Sequence, residues 1–430
     1  MPSEIEHVIL SLIVVASIVL MLVRPRGISE VWWVSGGALL LIALRLVPLR
    51  MAGQAIAKGT DVYLFLTGMM LLSELAREQG VFDWIASVAV RHAEGSCTRL
   101  FLLVYGAGTL VTIFMSNDAT AVVLTPAILA AVRKAKAPPL PYLFVCALVA
   151  NAASFVLPIS NPANIVVFQK DMPPLGRWLA DFGLPSLLSI VATFAVMRIL
   201  FSKDLANRIA CDVEEVTLSL HGKLVLGGIV LMIAALLTAS ALNRDLGLPT
   251  CMAALLITAM VSILARSNPL ALARHISWGT ILLVAGLFVM VDAVESEGAL
   301  RFTQQGLAFA ARLGQDAGAV IIGVVVGVAN NLVNNLPLGL IAGATLQAAQ
   351  TKGLLANAVL VGVDLGPNLS VTGSLATILW LLALRKESAE PNGKKLEVSA
   401  WTFLKVGAVA MPVALLAALA GVLLMHSLWQ

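Results

Sequence analysis

Apolar runs long enough to cross the ~30 Å hydrocarbon layer of a bilayer recur along the whole chain, and no other feature restricts its fold so strongly. Within such a layer no water satisfies the backbone, so each crossing segment must close its own hydrogen bonds as a helix. Full spans are expected at about 5–23, 31–49, 60–77, 141–169, 178–201, 223–242, 249–265, 276–294, 354–384 and 401–428. Composition agrees: 59% of the 430 residues are hydrophobic and only 12% charged, with a mean hydropathy of +0.94. A water-soluble chain keeps about a quarter of its residues charged. The expected fold is all-α and membrane-integral, with about ten transmembrane helices.

The first run, Ile5 to Val23, is followed rather than preceded by its basic residues, Arg24 and Arg26, and no small-residue cleavage site is evident. It reads as a retained span, not a signal peptide. The net charge of +4 is spread over many loops, which argues against a nucleic-acid partner. The four cysteines, Cys97, Cys146, Cys211 and Cys251, have neither zinc nor disulfide spacing. Walker A, HExxH and GxSxG signatures are missing, and Gly106-Ala-Gly108 lacks a third glycine and a preceding strand. Neither a metal nor a cofactor is expected, nor is an enzyme.

Two further apolar segments, 99–136 and 318–350, are interrupted near their middles by polar residues, as in a re-entrant hairpin or a pair of short spans. Read as hairpins with the N-terminus outside, they put nineteen of the 28 Lys and Arg in the cytoplasm. The densest basic clusters, around Arg133 and Arg385, then lie inside, as the positive-inside rule requires. Both termini are expected in the periplasm of a bacterial inner membrane, with lipid around the helices. The longest hydrophilic stretch, Ser202 to Gly222, holds Asp204, Asp212, Glu214 and Glu215 and reads as a cytoplasmic linker.

The halves on either side of that linker are related. A shift of 218 positions pairs Leu64 with Leu282, Gly68 with Gly286, Glu74 with Asp292, Gly80 with Gly298 and Asn117 with Asn335. Thr60 starts its span from outside and Ser277 from inside, so the repeat is inverted. The expected organisation is scaffold helices in 1–59 and 223–275, a first repeat at 60–201, the linker at 202–222 and a second repeat at 276–384. The first repeat holds hairpin 99–136 and a broken helix at 141–169; the second holds hairpin 318–350 and a broken helix at 354–384. A C-terminal loop and last helix fill 385–430.

Helix-breaking polar residues cluster at the hairpin tips, Ser116-Asn117-Asp118 and Asn334-Asn335-Leu336-Pro337. They cluster again in the broken spans. The first break runs from Asn151 and Ser154 through Pro158, Ser160, Asn161 and Pro162 to Asn164. The second runs from Asp364 through Gly366, Pro367, Asn368, Ser370, Thr372 and Gly373 to Ser374. Asn, Ser, Gly and Pro at this density end helices and free backbone carbonyl and amide groups. Those groups and the half-helix ends can hold a polar solute at membrane depth. A Pro-kinked helix whose polar groups satisfy each other is the alternative, and four such segments in matching positions favour a pocket. Asp118 and Asp364 are its acidic members, and neither break holds Lys or Arg. A charged carboxylate at mid-membrane costs ~2.5–3.5 kcal/mol on insertion scales, so each is expected to exchange a proton or coordinate Na⁺. Without a fixed cation beside them, a neutral or cationic solute fits better than an anion. Asp118 also suits the N-cap of a helix beginning at Ala119. Glu74, Asp292 and Asp61 lie near span ends and read as interfacial, as do His7, His92, His221, His275 and His426. Cys146 reads as an inert buried thiol, with contact to a thiophilic solute the lesser alternative.

At these residues a resemblance becomes specific. Gly362 to Trp380 resembles the corresponding stretch of the ArsB-type arsenite/antimonite efflux permeases of the ion transporter superfamily. Asn117-Asp118-Ala119, followed by Leu124-Thr125-Pro126, is similar to that family's first tip motif. Ser160 to Val166 resembles its first broken span, and Asn334 to Pro337 its second tip; the likeness covers roughly 60–170 and 275–385. It implies an inverted-repeat fold with two re-entrant hairpins, export of trivalent arsenic and antimony by proton antiport, and in some systems a soluble arsenite-stimulated ATPase partner. Asp118 and Asp364 are then the expected proton-coupling pair. Ser116, Asn117, Asn151, Ser154, Ser160, Asn161, Asn164, Asn334, Asn335, Asn368, Ser370, Thr372 and Ser374 are the expected substrate-binding set. Superfamily members that carry dicarboxylates place Ser-Asn-Thr at the tips, and Asp118 stands where their Thr would be, which disfavours anion symport. Arsenous acid, an uncharged trihydroxide at neutral pH, suits Asn, Ser and backbone groups. The competing expectation is a Na⁺/H⁺ antiporter on the same scaffold, with Asp118 and Asp364 as its cation site.

Overall fold

A computed structural model describes residues 4–209, 216–266, 268–298, 300–387 and 398–428. Cys211, Asp212, Glu214, Glu215, Lys394 and Lys395 lie outside the described residues. Eight of the described helices are long and apolar enough to cross a bilayer. They are Ile5–Val23, Cys97–Met115, Leu175–Leu200, Leu220–Ala241, Gly247–Ala265, Trp278–Ser296, Gln315–Val333 and Ala400–Leu428. The pair Leu49–Lys58 and Thr60–Glu78, bent by 51°, makes a ninth if taken as one span. The chain is thus an all-helical, multi-pass membrane protein.

The expected span at 31–49 divides. Its helix, Glu30–Ala43, stops after 14 residues, the chain turns through Arg45 at φ 59°, and Pro48 precedes a second helix, Leu49–Lys58. Pro48 donates no backbone hydrogen bond and disfavours helical geometry before it, so the apolar run cannot continue as one helix. At the next bend the chain needs a glycine: a Cβ on Gly59 would lie 2.3 Å from the Tyr63 hydroxyl.

Helices Thr60–Glu78 and Trp278–Ser296, the first of each half, pack with the N-terminal helices and with Gly247–Ala265. The broken spans and the second hairpin pack with Leu175–Leu200 and Ala400–Leu428, and the returning arms of both hairpins also meet Thr60–Glu78 or Trp278–Ser296. Two glycine pairs set the closest approach within this second group. Gly323 and Gly327 on Gln315–Val333 face Gly362 and Gly366, so that a Cβ on Gly362 or Gly366 would lie 2.5 Å from the carbonyl oxygen of Gly323 or Gly327. Small residues four apart allow such backbone contact between helices in lipid, where no hydrophobic effect drives association. This contact brings the second broken span against the second hairpin, where Asn330 bonds the Val363 carbonyl.

Candidate functional site

Each hairpin turns on a single residue held at positive φ. Ser116 (φ 127°, ψ 162°) ends Cys97–Met115, and Asn334 (φ 81°, ψ 152°) ends Gln315–Val333. Neither is glycine, so both store backbone strain of the kind found at binding sites. The returning arms start at once with Asn117 and Asn335. In the first arm residues Ala119–Leu124 form a π-helical turn that runs into Thr125–Lys134. Pro126 accounts for it: lacking an N–H, it cannot close the preceding α-turn, and the backbone widens to i→i+5 bonds. Asp118 itself is helical (φ −65°, ψ −41°) and its side chain makes no cap bond, which rules out the N-cap role expected from the sequence.

The broken spans repeat one another with a change of register. The first halves, Pro139–Ala152 and Leu354–Leu365, end beside Asn151 and Asp364; the second halves, Pro162–Phe168 and Leu375–Glu387, begin after Asn161 and Ser374. A short 3₁₀ turn, Pro158–Ser160 or Val371–Gly373, precedes each second half. Asn161 and Ser374 are both extended, at φ −150° and −145°. Asn151 thus corresponds to Asp364, and one half alone carries the carboxyl.

Side chains from the two breaks interlock. Asp364, 0% exposed, accepts from the Ser154 hydroxyl at 2.6 Å and the Asn161 amide at 3.0 Å. Asn151 donates to Asn368 Oδ1 at 2.9 Å, and Asn368 donates to the Leu148 carbonyl at 3.0 Å. Asn164 closes its own break by donating to the Ser154 and Leu157 carbonyls. Ser160 donates to the Ile113 carbonyl at 2.9 Å and so fastens the first break to the first hairpin. On the other side Asn331, which the sequence reading passed over, accepts from Ser370 at 2.7 Å, while its backbone carbonyl accepts from Thr372 at 3.0 Å. Asn334 donates to the Thr372 carbonyl at 3.1 Å, and Asn330 to that of Val363 at 2.7 Å. The helical spacing from Asn330 to Asn334 was a usable signal for both residues.

Between these clamps lies a cavity of about 10 Å³, room for a single water, lined by Asn117, Asp118, Asn161, Asn335 and Ser374 together with Leu66 and Thr280. Both tips and both breaks contribute to it. Asn117 Oδ1, Asn335 Oδ1 and Ser374 Oγ are buried there without a hydrogen-bond partner. Unpaired buried oxygens cost about 1–3 kcal/mol each and call for a partner. A second cavity of 130 Å³ shares Leu66, Asp118, Pro162, Thr280 and Leu375 with the first and extends to Ser73, Glu74 and His275. Asp118 stands at the neck between them, half-buried. Among the described residues neither cavity is lined by Lys or Arg.

Of the expected set, then, Asn117, Asp118, Asn161, Asn335 and Ser374 meet at one point. Asn151, Ser154, Asn164, Asp364 and Asn368 form the network behind it, and Ser116, Ser160, Asn334, Ser370 and Thr372 hold the tips and breaks in place. Cys146 is fully buried in Pro139–Ala152. A cation does approach the second tip: Arg24, from the turn after the first helix, lines a small cavity with Asn334 and Pro337 and is ion-paired to Glu30. The expectation of no fixed cation near the site is corrected to that extent, with the charge compensated. Away from this junction a cavity of 590 Å³ is lined by charged residues that include two ion pairs, Lys352 with Asp171 at 2.7 Å and Arg177 with Asp181 at 3.0 Å.

Comparison with known proteins places these features in a family. The family model described as CitMHS, citrate transporter, matches residues 9–384. The arsenical pump membrane protein of Escherichia coli K12 is 25% identical over 397 residues, covering 87% of this chain and 90% of that protein. The protein of the same name from Yersinia enterocolitica is 25% identical over 395 residues with the same coverage. Among solved structures, the YdaH transporter of Alcanivorax borkumensis, described as having an unusual topology, superposes with a TM-score of 0.57 at 15% identity over 89% of each chain, which speaks to fold alone.

Proposed function

We propose that this chain, which belongs to the CitMHS citrate-transporter family and is an ArsB-type membrane transporter of the ion transporter superfamily, exports trivalent arsenic and antimony in exchange for protons. The observation that carries the reading is Asp118 at the neck of a polar junction whose unpaired groups are neutral oxygens. Once the tips part beyond the single-water space between them, an uncharged trihydroxide offers O–H donors to the oxygens of Asn117, Asn335 and Ser374 and asks for no counter-ion. A citrate trianion would meet unpaired carbonyl oxygens and a carboxylate, a repulsive setting without a lining cation. Asp118, with no side-chain partner to hold it in one state, exchanges cargo for a proton. Asp364, with both oxygens engaged, joins the two breaks. The protein sits in the inner membrane with both termini periplasmic, and the gradient supplies the drive at ~2.3 kcal/mol per charge per 100 mV without need of an ATPase.

The test is uptake into everted membrane vesicles with an imposed proton gradient, with arsenite, antimonite, citrate and Na⁺ side by side. Arsenite and antimonite accumulate only with the gradient, and citrate does not. Accumulation of citrate but not arsenite, or sodium-driven proton movement indifferent to arsenite, overturns the proposal.

A further inference from the structure

We infer that Glu74 is the group through which Asp118 trades its proton with the cytoplasm. The inference rests on the reading of Asp118 as the coupling carboxyl and extends it to a route. By sequence Glu74 is an interfacial acid near the end of a span, yet its side chain is only 13% exposed and lines the same 130 Å³ cavity as Asp118. That volume holds several waters, enough to bridge two carboxyls that do not touch. Glu74 is fixed by Arg77, whose guanidinium donates to both carboxylate oxygens, the Nε bond at 2.9 Å. A carboxylate has about four lone-pair sites, so this fork leaves the rest to the cavity. His275, from the helix Pro269–His275, keeps Nδ1 on the Ala271 carbonyl at 3.0 Å and 3.9 Å from Glu74, and its exposed ring marks where the cavity meets bulk water.

The charged surroundings are few. Arg77 and Glu78 lie on the same helix as Glu74, Asp83 comes from Val81–His92, and His275 and Asp118 face it across the cavity. Ser73 and Thr280 supply hydroxyls along the wall. A proton leaving Asp118 therefore passes by water to Glu74, with Arg77 holding that carboxyl in place, and leaves past His275. The paired acid in the other half, Asp292, is ion-paired to Lys58.

The experiment compares two assays in proteoliposomes of the full chain: gradient-driven arsenite uptake, which needs net proton transfer, and arsenite exchange at equal pH, which does not. Glu74→Gln is expected to slow the first by about a hundredfold, the lower end of what a positioned proton-transfer group provides, and to leave exchange within about twofold. Glu74→Asp restores most of the loss. Arg77→Gln, an independent variant that also serves if Glu74→Gln fails to reach the membrane, shifts the cytoplasmic pH at which driven uptake is half-maximal. Equal loss in both assays assigns Glu74 a structural role and overturns the inference. So does wild-type driven uptake by Glu74→Gln while Asp118→Asn has lost it. If Asp118→Asn keeps full driven uptake, it is the parent reading that fails.

Discussion

At the scale of single residues the two aspartates differ in their surroundings. Asp118 is half-buried on a cavity and has no side-chain hydrogen bond among the described residues; Asp364 is sealed and accepts two hydrogen bonds from the other half. Asp364 should therefore matter to stability as much as to transport. Ser154→Ala removes one bond to the carboxyl and is expected to cost about 1.5–3 kcal/mol, and Asp364→Ala, which strands Ser154 and Asn161 together, more. Thermal unfolding of the purified protein in detergent checks this: the melting temperature should fall in that order, and an Asp364→Ala variant as stable as wild type contradicts the clamp. The sequence exposed both carboxyls by their rarity at membrane depth, but not their difference. Which donors reach a carboxyl depends on contacts between residues some two hundred positions apart, and no local pattern encodes them.

At the scale of elements, what was legible was interruption. The polar residues at 116–118, 334–335, 151–164 and 364–374 stand out because an apolar helix has no use for them, and each marks a turn or break. Less legible were features set by packing. The π-turn at Ala119–Leu124 follows from one proline whose effect depends on the helix continuing beyond it. The glycine pairs at 323 and 327 and at 362 and 366 read as ordinary small residues until the two helices meet. Gly362→Ala would press a methyl against the Gly323 carbonyl and Val326, an overpacking cost of about 1–3 kcal/mol or more, and push Asp364 off its register. Gly176→Ala and Gly183→Ala, whose new methyls meet nothing within 4 Å, should be silent. Size-exclusion profiles and melting temperatures of the three variants separate these outcomes; a stable Gly362→Ala would show that the helices do not rely on this approach.

At the scale of the molecule, the two halves bring four breaks to one point and leave a cavity from that point toward Arg77 and His275. The repeat was visible as a shift common to five residue pairs. The charge balance at the centre was not fully visible, since Arg24 arrives from a loop far away in sequence and brings Glu30 with it. The central claim is that cargo and proton use Asp118 in turn. It is tested most directly by following pH inside sealed proteoliposomes while arsenite is added outside, with no gradient imposed. Wild-type protein should drive protons in the direction opposite to arsenite, and Asp118→Asn should move none even where it still exchanges arsenite. Arsenite movement by the wild type with no accompanying proton flux, or an undiminished flux in Asp118→Asn, would contradict the account.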